Sequence, residues 1–283
     1  MHSVIVFRAM SQFMSPDFKN APLVEVALSV QFQPLAGFAG AHAGEFWQEV
    51  KADFPVAQDQ PPLQPINEFF GGSRPAPAFM DIGLSFGYTG TRTFFLTADG
   101  DFLIQIQNNR FAVNWRKTAA KPEYPRYEAV KAKFDKYFEM FRKFVAKSGI
   151  GSGIVKTDLF EAHYVNQWLL EKGKSYDAAI GDWVKLLNNQ ITSLEMEQAS
   201  ISTQYLIKGI SDQPVGRLYL NVSPIINVSG QFGINLELIC RTLPFEDGAK
   251  AEFAPLDLAR EKIVTTFKQI TSDSAHQFWR GPA

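Results

Sequence analysis

The stretch that decides the fold is TFFLTADGDFLIQIQNNRFAVNWRK, residues 93–117. It contains apolar segments with alternating polarity, and these are separated by Asp99-Gly100 and by Asn108-Asn109. Such pairs are typical of tight turns between strands, because Gly and Asn tolerate positive φ angles. The stretch therefore predicts two consecutive β-hairpins and three neighbouring antiparallel strands.

The two turns also predict the register of these strands. The first turn pairs Phe95 with Ile104, and the second pairs Ile104 with Val113 and Phe102 with Trp115. Because side chains alternate between the faces of a strand, both hairpins place the same residues on one apolar face. This face should pack against helices, and it comprises Phe95, Phe102, Ile104, Ile106, Phe111, Val113 and Trp115.

The opposite face of the hairpins is our first candidate binding surface. It carries Phe94, Gln105, Gln107, Asn114 and Arg116. A surface that mixes amides with an aromatic ring can orient a partner by hydrogen bonds while it buries carbon. In the alternative interpretation, the Pro-rich loop over residues 56–78 covers this face, and the amides satisfy the backbone of the loop.

The helix that covers the apolar face should lie in YPRYEAVKAKFDKYFEMFRKFVAK, residues 124–147. Its apolar residues recur with the helical period of 3.6 along the segment, and they include Phe134 and Phe141. GEFWQEVKADFP, residues 44–55, shows the same period over a shorter length and ends at a proline. The sequence thus predicts a long and a short helix in this part of the chain.

The order of elements then recurs. LFEAHYVNQW, residues 159–168, aligns with the predicted strand LVEVALSVQF, residues 23–32. A short predicted helix at residues 176–190, three further predicted strands and a closing helix follow it. The closing helix, residues 256–279, carries Ile263, Phe267, Ile270 and Phe278 on one stripe. We therefore predict two related β-α-(β)n-α halves, residues 20–150 and 151–283, after a leader of little structure at residues 1–19.

The fold class that follows is α+β. The two halves can join edge to edge into one curved antiparallel sheet with helices on one face, as in TATA-binding-protein-like folds. The alternative is a helix-grip arrangement, in which a long C-terminal helix lies in a strongly bent sheet and encloses a pocket.

Composition excludes several classes of function. The 283 residues are 46% hydrophobic, and 28 basic side chains face 29 acidic ones, so there is no global field to attract nucleic acid or anionic lipid. The single cysteine, Cys240, excludes an intramolecular disulfide and fits a reducing compartment. The longest apolar runs fall short of the roughly 20 residues that span a membrane. These features predict a cytoplasmic protein that does not bind membranes. Nucleic-acid binding is the least favoured alternative, and it would require a local basic patch of Arg92, Arg110, Arg116 and Lys117.

Few residues suggest catalytic chemistry. The sequence contains no phosphate-binding loop, nucleophile elbow or paired-histidine metal motif, so no cofactor or metal is predicted. Glu25 and Glu161 occupy equivalent positions in the two predicted strands, and His163 lies on the second of these strands. Paired carboxylates with a histidine can act in acid–base catalysis. These three residues form the alternative, an enzyme site between the halves.

Several blocks of the sequence resemble a known family. They are NAPLVEVALSVQFQPL (20–35), LIQIQNNRFAVNWRK (103–117), YPRY (124–127), AHYVNQW (162–168) and AHQFWR (275–280). Their order is similar to that of a sporadically distributed, uncharacterised family of prokaryotic proteins of about this size, over residues 20–280. The resemblance implies no particular reaction. A patchy distribution suggests an accessory role, such as defence or toxin control.

The sequence thus favours a cytoplasmic binding or regulatory protein that recognises a partner protein or a small ligand. An enzyme that uses Glu25, Glu161 and His163 is the alternative.

Overall fold

The computed structural model describes residues 18–70, 91–171, 180–185, 193–194, 196–209, 211–245 and 253–281. Its strands are β1 (Leu23–Phe32), β2 (Val56–Gln60), β3 (Arg92–Leu96), β4 (Phe102–Gln107), β5 (Arg110–Arg116), β6 (Thr157–Leu169), β7 (Ile201–Lys208), β8 (Pro214–Ile226) and β9 (Phe232–Thr242). Its helices are α1 (Gly40–Val50), α2 (Tyr127–Ser148), α3 (Ala254–Ile270) and α4 (Asp273–Arg280). The predicted leader, apart from residues 18 and 19, lies outside the described residues, as does most of a helix expected at residues 176–190.

All nine strands form one antiparallel sheet in the order β2-β3-β4-β5-β1-β6-β9-β8-β7. The predicted α+β class is therefore confirmed. β1 and β6 lie side by side at the junction, and each half extends outward from its own first strand. The sheet joins the halves by main-chain hydrogen bonds, so neither half has a free edge at the junction.

The hairpin registers are confirmed. Phe95 faces Ile104, and Ile104 faces Val113, while Phe102 faces Trp115. The turn chemistry and the alternation of polarity therefore fixed this part of the sheet together, since a shift by one residue would have turned every apolar side chain outward.

The helices cover one face of the sheet. On α2, Phe134 and Phe141 are fully buried, and their rings lie 6.0 and 5.4 Å from the ring of Phe111 on β5. On α3, the start of the helix joins the same core, because Phe253 contacts Phe134 edge-on at 5.7 Å. Side chains of α1, α2, α3 and α4 belong to a single hydrophobic cluster with this face of the sheet. The other face carries no described helix, and we call it the helix-free face.

Two elements differ from the sequence prediction. Residues 56–60, expected as loop, form the exposed edge strand β2, whose side chains show no apolar alternation because they lie largely in solvent. The predicted closing helix is two helices, because Ser272 adopts extended backbone angles and its hydroxyl accepts the N–H of Ala275 to cap α4. Phe278 consequently leaves the predicted stripe and is 66% exposed.

Candidate functional site

The predicted amide surface lies on the helix-free face and is a closed hydrogen-bond network. Arg92 donates to Gln105 at 3.1 Å, and the amide nitrogen of Gln105 donates to Asn114 at 2.7 Å. Asn114 in turn donates to Glu25 at 2.5 Å, and Arg116 donates to the same carboxylate oxygen at 3.2 Å. The structure therefore brings Gln105, Asn114 and Arg116 together, but it directs their polar atoms at one another.

The other two members of this surface are also occupied within the chain. Phe94 is 8% exposed, and the guanidinium groups of Arg92 and Arg116 lie 4.8 and 5.8 Å from its ring centre. Gln107 is buried, and its amide accepts the N–H and donates to the carbonyl of Leu63, both at 2.8 Å. This contact of Gln107 is the one expected in the alternative interpretation, in which the loop covers this face and the amides bind its backbone.

The loop contact continues across the sheet. We call residues 61–70 the crossing segment, because they run from the β2 edge over the helix-free face. Gln31 of β1 holds Ile66 in the same reciprocal manner, at 2.6 and 2.8 Å. Further along, Arg217 of β8 donates to the carbonyl of Phe69 at 2.9 Å. Two glutamines thus bind the backbone of the segment, whatever its side chains are.

A buried carboxylate anchors the far end of the crossing segment. The side chain of Glu68 is only 2% exposed, and it accepts from Arg241 at 3.1 Å and, at shorter range, from Arg217 and from the hydroxyl of Tyr219. Arg241 also donates to Glu161 at 2.7 Å. This cluster satisfies the buried charge, which would otherwise be costly.

The residues of the alternative enzyme site lie on the same face but have separate partners. Glu25 binds Asn114 and Arg116, and Glu161 binds Arg241. His163 lies opposite Ala27, and its Nε2 atom is 3.8 Å from Glu237. Among the described residues, no hydrogen bond joins Glu25, Glu161 and His163 to one another.

A cavity of about 530 Å³ lies on the helix side, where the two halves meet. Its walls come from residues preceding and beginning β1, from β6 and β9, from the start of α2 and from the middle of α3. The lining residues are Phe18, Ala21, Pro22, Leu23, Tyr124, Arg126, Tyr127, Glu128, Tyr164, Asn166, Leu238, Arg260, Ile263, Val264 and Phe267. A concave, mostly apolar site of this size with a few polar groups is typical of small-ligand sites.

Three tyrosines give the cavity its hydrogen-bonding character. The hydroxyl groups of Tyr124 and Tyr164 are buried side by side, close enough to influence each other's pKa, yet neither has a hydrogen-bond partner of normal geometry among the described residues. Burial raises the pKa of Tyr124 to about 12, and it raises the pKa of Tyr164 well above the ordinary value. Both hydroxyls are therefore protonated donors at neutral pH. Tyr127 differs, because its hydroxyl donates to Asp257 at 2.8 Å.

The mouth of the cavity carries charge. Arg260 of α3 stacks on the ring of Tyr127 at 4.9 Å and lies 3.8 Å from Glu128, whose side chain is 75% exposed. Arg126 precedes α2 with φ of 76° and ψ of 159°, a combination that residues other than glycine rarely adopt. The charges of Arg260 and Arg126 both act on the hydroxyl of Tyr124. Of the charged lining residues, two are basic and one is acidic.

Sequence reasoning did not predict this cavity, although one signal pointed to it. The YPRY block supplies Tyr124, Arg126 and Tyr127, and the AHYVNQW block supplies Tyr164 and Asn166. The sequence analysis singled out both blocks, and the fold places them around one space. In the sequence, the helical period of the apolar residues accounted only for the end of the YPRY block, where α2 begins.

Two general properties bear on the class of site. Within the described part of the chain, no group of three or more His, Cys, Asp and Glu side chains is arranged to hold a metal ion. None of the described helices has a segment long and apolar enough to cross a lipid bilayer.

Comparisons with known proteins add one distant similarity. No family model matches the sequence, and no curated protein matches it. A solved structure that aligns is the crystal structure of DynU16, described as a protein in the dynemicin biosynthetic locus, at 11% sequence identity. The alignment covers 91% of this chain and 97% of DynU16, with a TM-score of 0.22. A similarity at this level carries no argument about fold or function.

Proposed function

We propose that this protein is a binding or regulatory protein that takes a small ligand in the cavity between its two halves. The observation that carries the proposal is the pair of buried, protonated hydroxyl groups of Tyr124 and Tyr164, which lie side by side without a hydrogen bond of normal geometry among the described residues, at a mostly apolar cavity of about 530 Å³. A buried polar group without a partner is costly, and a ligand that accepts its hydrogen bond would remove that cost.

The location of the cavity supports a regulatory role. Its walls come from both halves, and the ion pair of Arg260 with Glu128 connects α3 to α2 across its mouth. A ligand bound here would contact both halves at once, so binding would be coupled to their relative arrangement. The amide surface is a weaker candidate for the binding site, because Gln105 and Asn114 already bind each other.

The cellular setting belongs to the same proposal. A cytoplasmic location is supported by the single cysteine, Cys240, which is buried and whose pKa is raised to about 12 by burial. Prokaryotic origin and an accessory role in defence or toxin control rest on the family resemblance of the blocks that line the cavity. Partner proteins would then respond to the bound or empty form.

We also infer that the two halves arose by duplication, with the edge-to-edge arrangement of TATA-binding-protein-like folds. Ala27 and His163, which face each other at the junction, are separated by the same offset as Leu23 and Leu159. In each half, a glutamate on the first strand binds an arginine on the neighbouring strand: Glu25 binds Arg116, and Glu161 binds Arg241.

The proposal is tested with N-phenyl-1-naphthylamine, a neutral aromatic probe that becomes fluorescent in apolar sites. We expect one saturable site in the wild-type protein. Val264→Trp, which fills the cavity from α3, should weaken binding by at least about tenfold, whereas Val228→Trp on an exposed turn should leave it unchanged. Equal binding by the wild type and Val264→Trp, or no binding at all, would contradict the proposal, provided that both variants melt near the wild-type temperature.

A further inference from the structure

The polar end of the cavity is built from features that together favour one kind of ligand. α2, a helix of 22 residues, begins at the cavity, and Arg126, the residue that precedes it, provides no side-chain cap. The first N–H groups of a helix have no partners within the helix, and its dipole places partial positive charge there. Helix N-termini of this kind bind anions.

The two arginines strengthen this preference. Arg126 lies at the start of α2, and Arg260 approaches from α3, so positive charge comes from both sides of the mouth. The side chain of Glu128, the acidic lining residue, is largely exposed and lies 3.8 Å from Arg260. The carboxylate of Asp257 already accepts from Tyr127. The lining therefore carries two basic side chains against one acidic side chain, and this excess of positive charge favours an anionic group at the mouth.

An independent observation points to a ligand deeper in the cavity. Tyr164 is 6% exposed and lines the space, and its hydroxyl has no hydrogen-bond partner of normal geometry in the described part of the chain. Aromatic and aliphatic side chains, among them Phe18, Phe267 and Ile263, line the same cavity. A planar apolar body would pack against these side chains.

We propose that the cavity binds an aromatic acid: a planar apolar body with a carboxylate, sulfonate or phosphate at the mouth and a hydrogen-bond acceptor near Tyr164. The acidic group lies between Arg126, Arg260 and the first turn of α2. This assignment rests on the proposed function and adds the chemical class of its ligand.

The unusual backbone of Arg126 fits this role. Its φ of 76° with ψ of 159° lies in a region that is favourable for glycine alone, yet the position carries a long basic side chain. Strained backbone is common where a side chain must be held for binding. The side chain of Arg126 is therefore the feature whose removal tests the inference most directly.

The test compares two probes that share one skeleton. 8-Anilinonaphthalene-1-sulfonate carries an acidic group, and N-phenyl-1-naphthylamine lacks it. Arg260→Gln and Arg126→Gly should each weaken binding of the sulfonate by at least about tenfold, which is the size expected when a hydrogen bond to a charged group is lost. Binding of the neutral probe should change by less than about twofold, and Arg142→Gln, on α2 outside the cavity, should affect neither probe.

Competition then identifies the acidic group. 1-Naphthaleneacetate and 1-naphthyl phosphate are each titrated against the bound sulfonate probe. Displacement by either supports the inference and distinguishes a carboxylate from a phosphate ligand, whereas displacement by neither overturns it.

The two probes distinguish failure of this inference from failure of the proposed function. If both arginine variants bind the sulfonate as the wild type does, while Val264→Trp still excludes the neutral probe, the inference falls and the proposed function stands. If neither probe binds the wild-type protein, both fall. If Arg260→Gln does not fold, Arg126→Gly alone tests the inference, because this variant relieves backbone strain and should fold.

Discussion

Arg126 shows how one residue can oppose stability and binding. A residue other than glycine in this backbone region costs about 1–3 kcal/mol, and glycine costs about 0.5–1 kcal/mol through the entropy of the unfolded chain. We therefore expect Arg126→Gly to raise the free energy of unfolding by about 1 kcal/mol, as measured by urea denaturation. Arg142→Gly, in the middle of α2, should lower it by about 1 kcal/mol. A clear loss of stability in Arg126→Gly would show that its side chain contributes more than its backbone costs.

His276 is the residue whose titration should be visible in stability. Burial lowers the pKa of His276 below the ordinary 6.5, with Lys185, Arg280 and Lys268 acting in the same direction and Asp273 opposing them. Its Nε2 atom lies 2.7 Å from the hydroxyl of Thr271. Because the folded protein binds this proton less tightly than the unfolded chain does, its neutral form contributes stability that is fully present above pH 6.5.

This contribution should be lost as the pH falls from 6.5 through the lowered pKa of the folded state. Urea denaturation at pH 7.5 and pH 5.5 should show a smaller decrease for His276→Gln than for the wild type. An equal decrease in both proteins would mean that other groups cause the pH dependence.

At the scale of elements, α2 depends on Phe141. Its ring is fully buried, and the centres of four other rings lie 5.4 to 6.2 Å from it. They are Phe32 on β1, Phe38 in the turn before α1, Phe46 on α1 and Phe111 on β5. Phe141→Ala should therefore lower the free energy of unfolding by about 3–5 kcal/mol.

The matched control is Phe69→Ala, since that ring is 64% exposed. Its effect should remain within about 0.5 kcal/mol. If the two variants were equally stable, Phe141 would not hold α2 to the sheet.

The crossing segment should depend on Glu68. Removing one partner of a buried ion pair leaves an uncompensated charge and typically costs about 3–5 kcal/mol. Glu68→Ala leaves Arg217 without its carboxylate, although Arg241 retains Glu161, so we expect a loss near 3 kcal/mol in thermal or urea unfolding. Glu139→Ala, at an exposed pair on α2, should cost less than about 1 kcal/mol. Similar small effects at both positions would mean that the segment is not anchored.

The predictability of these elements followed the strength of local signals. The hairpins of residues 93–117 combine turn residues with alternating polarity, so their register could be derived. β2 has no such signal, because the exposed strand Val56–Gln60 exists through its pairing with β3. The break between α3 and α4 depends on one capping residue, Ser272, which the continuing apolar period concealed.

The candidate site was less predictable than the fold for a physical reason. Its walls combine residues as distant in sequence as Leu23, Tyr164 and Arg260, and no local period reports which of them share a space. For the amide surface, alternation correctly placed Gln105 and Asn114 on one face. It could not reveal that each would find its partner on a neighbouring strand.

For the whole molecule, the junction of β1 with β6 decides whether the halves are independent. Main-chain bonds join these strands along their length, and Val26 and Leu28 of β1, with Ala162 of β6, are fully buried there. On the helix side, Tyr127 donates to Asp257, which links α2 to α3. Unfolding one half would therefore expose an unpaired strand edge and an apolar face of the other.

We accordingly expect a single cooperative transition. In scanning calorimetry, the van't Hoff enthalpy should equal the calorimetric enthalpy, because the whole chain then unfolds as one unit. If the halves unfolded independently, the van't Hoff enthalpy would be about half the calorimetric value, and two overlapping transitions would fit the data. A ligand in the cavity should raise the midpoint of this one transition without splitting it, because it binds walls from both halves. Stabilisation of only one of two resolved transitions would place the binding site within a single half.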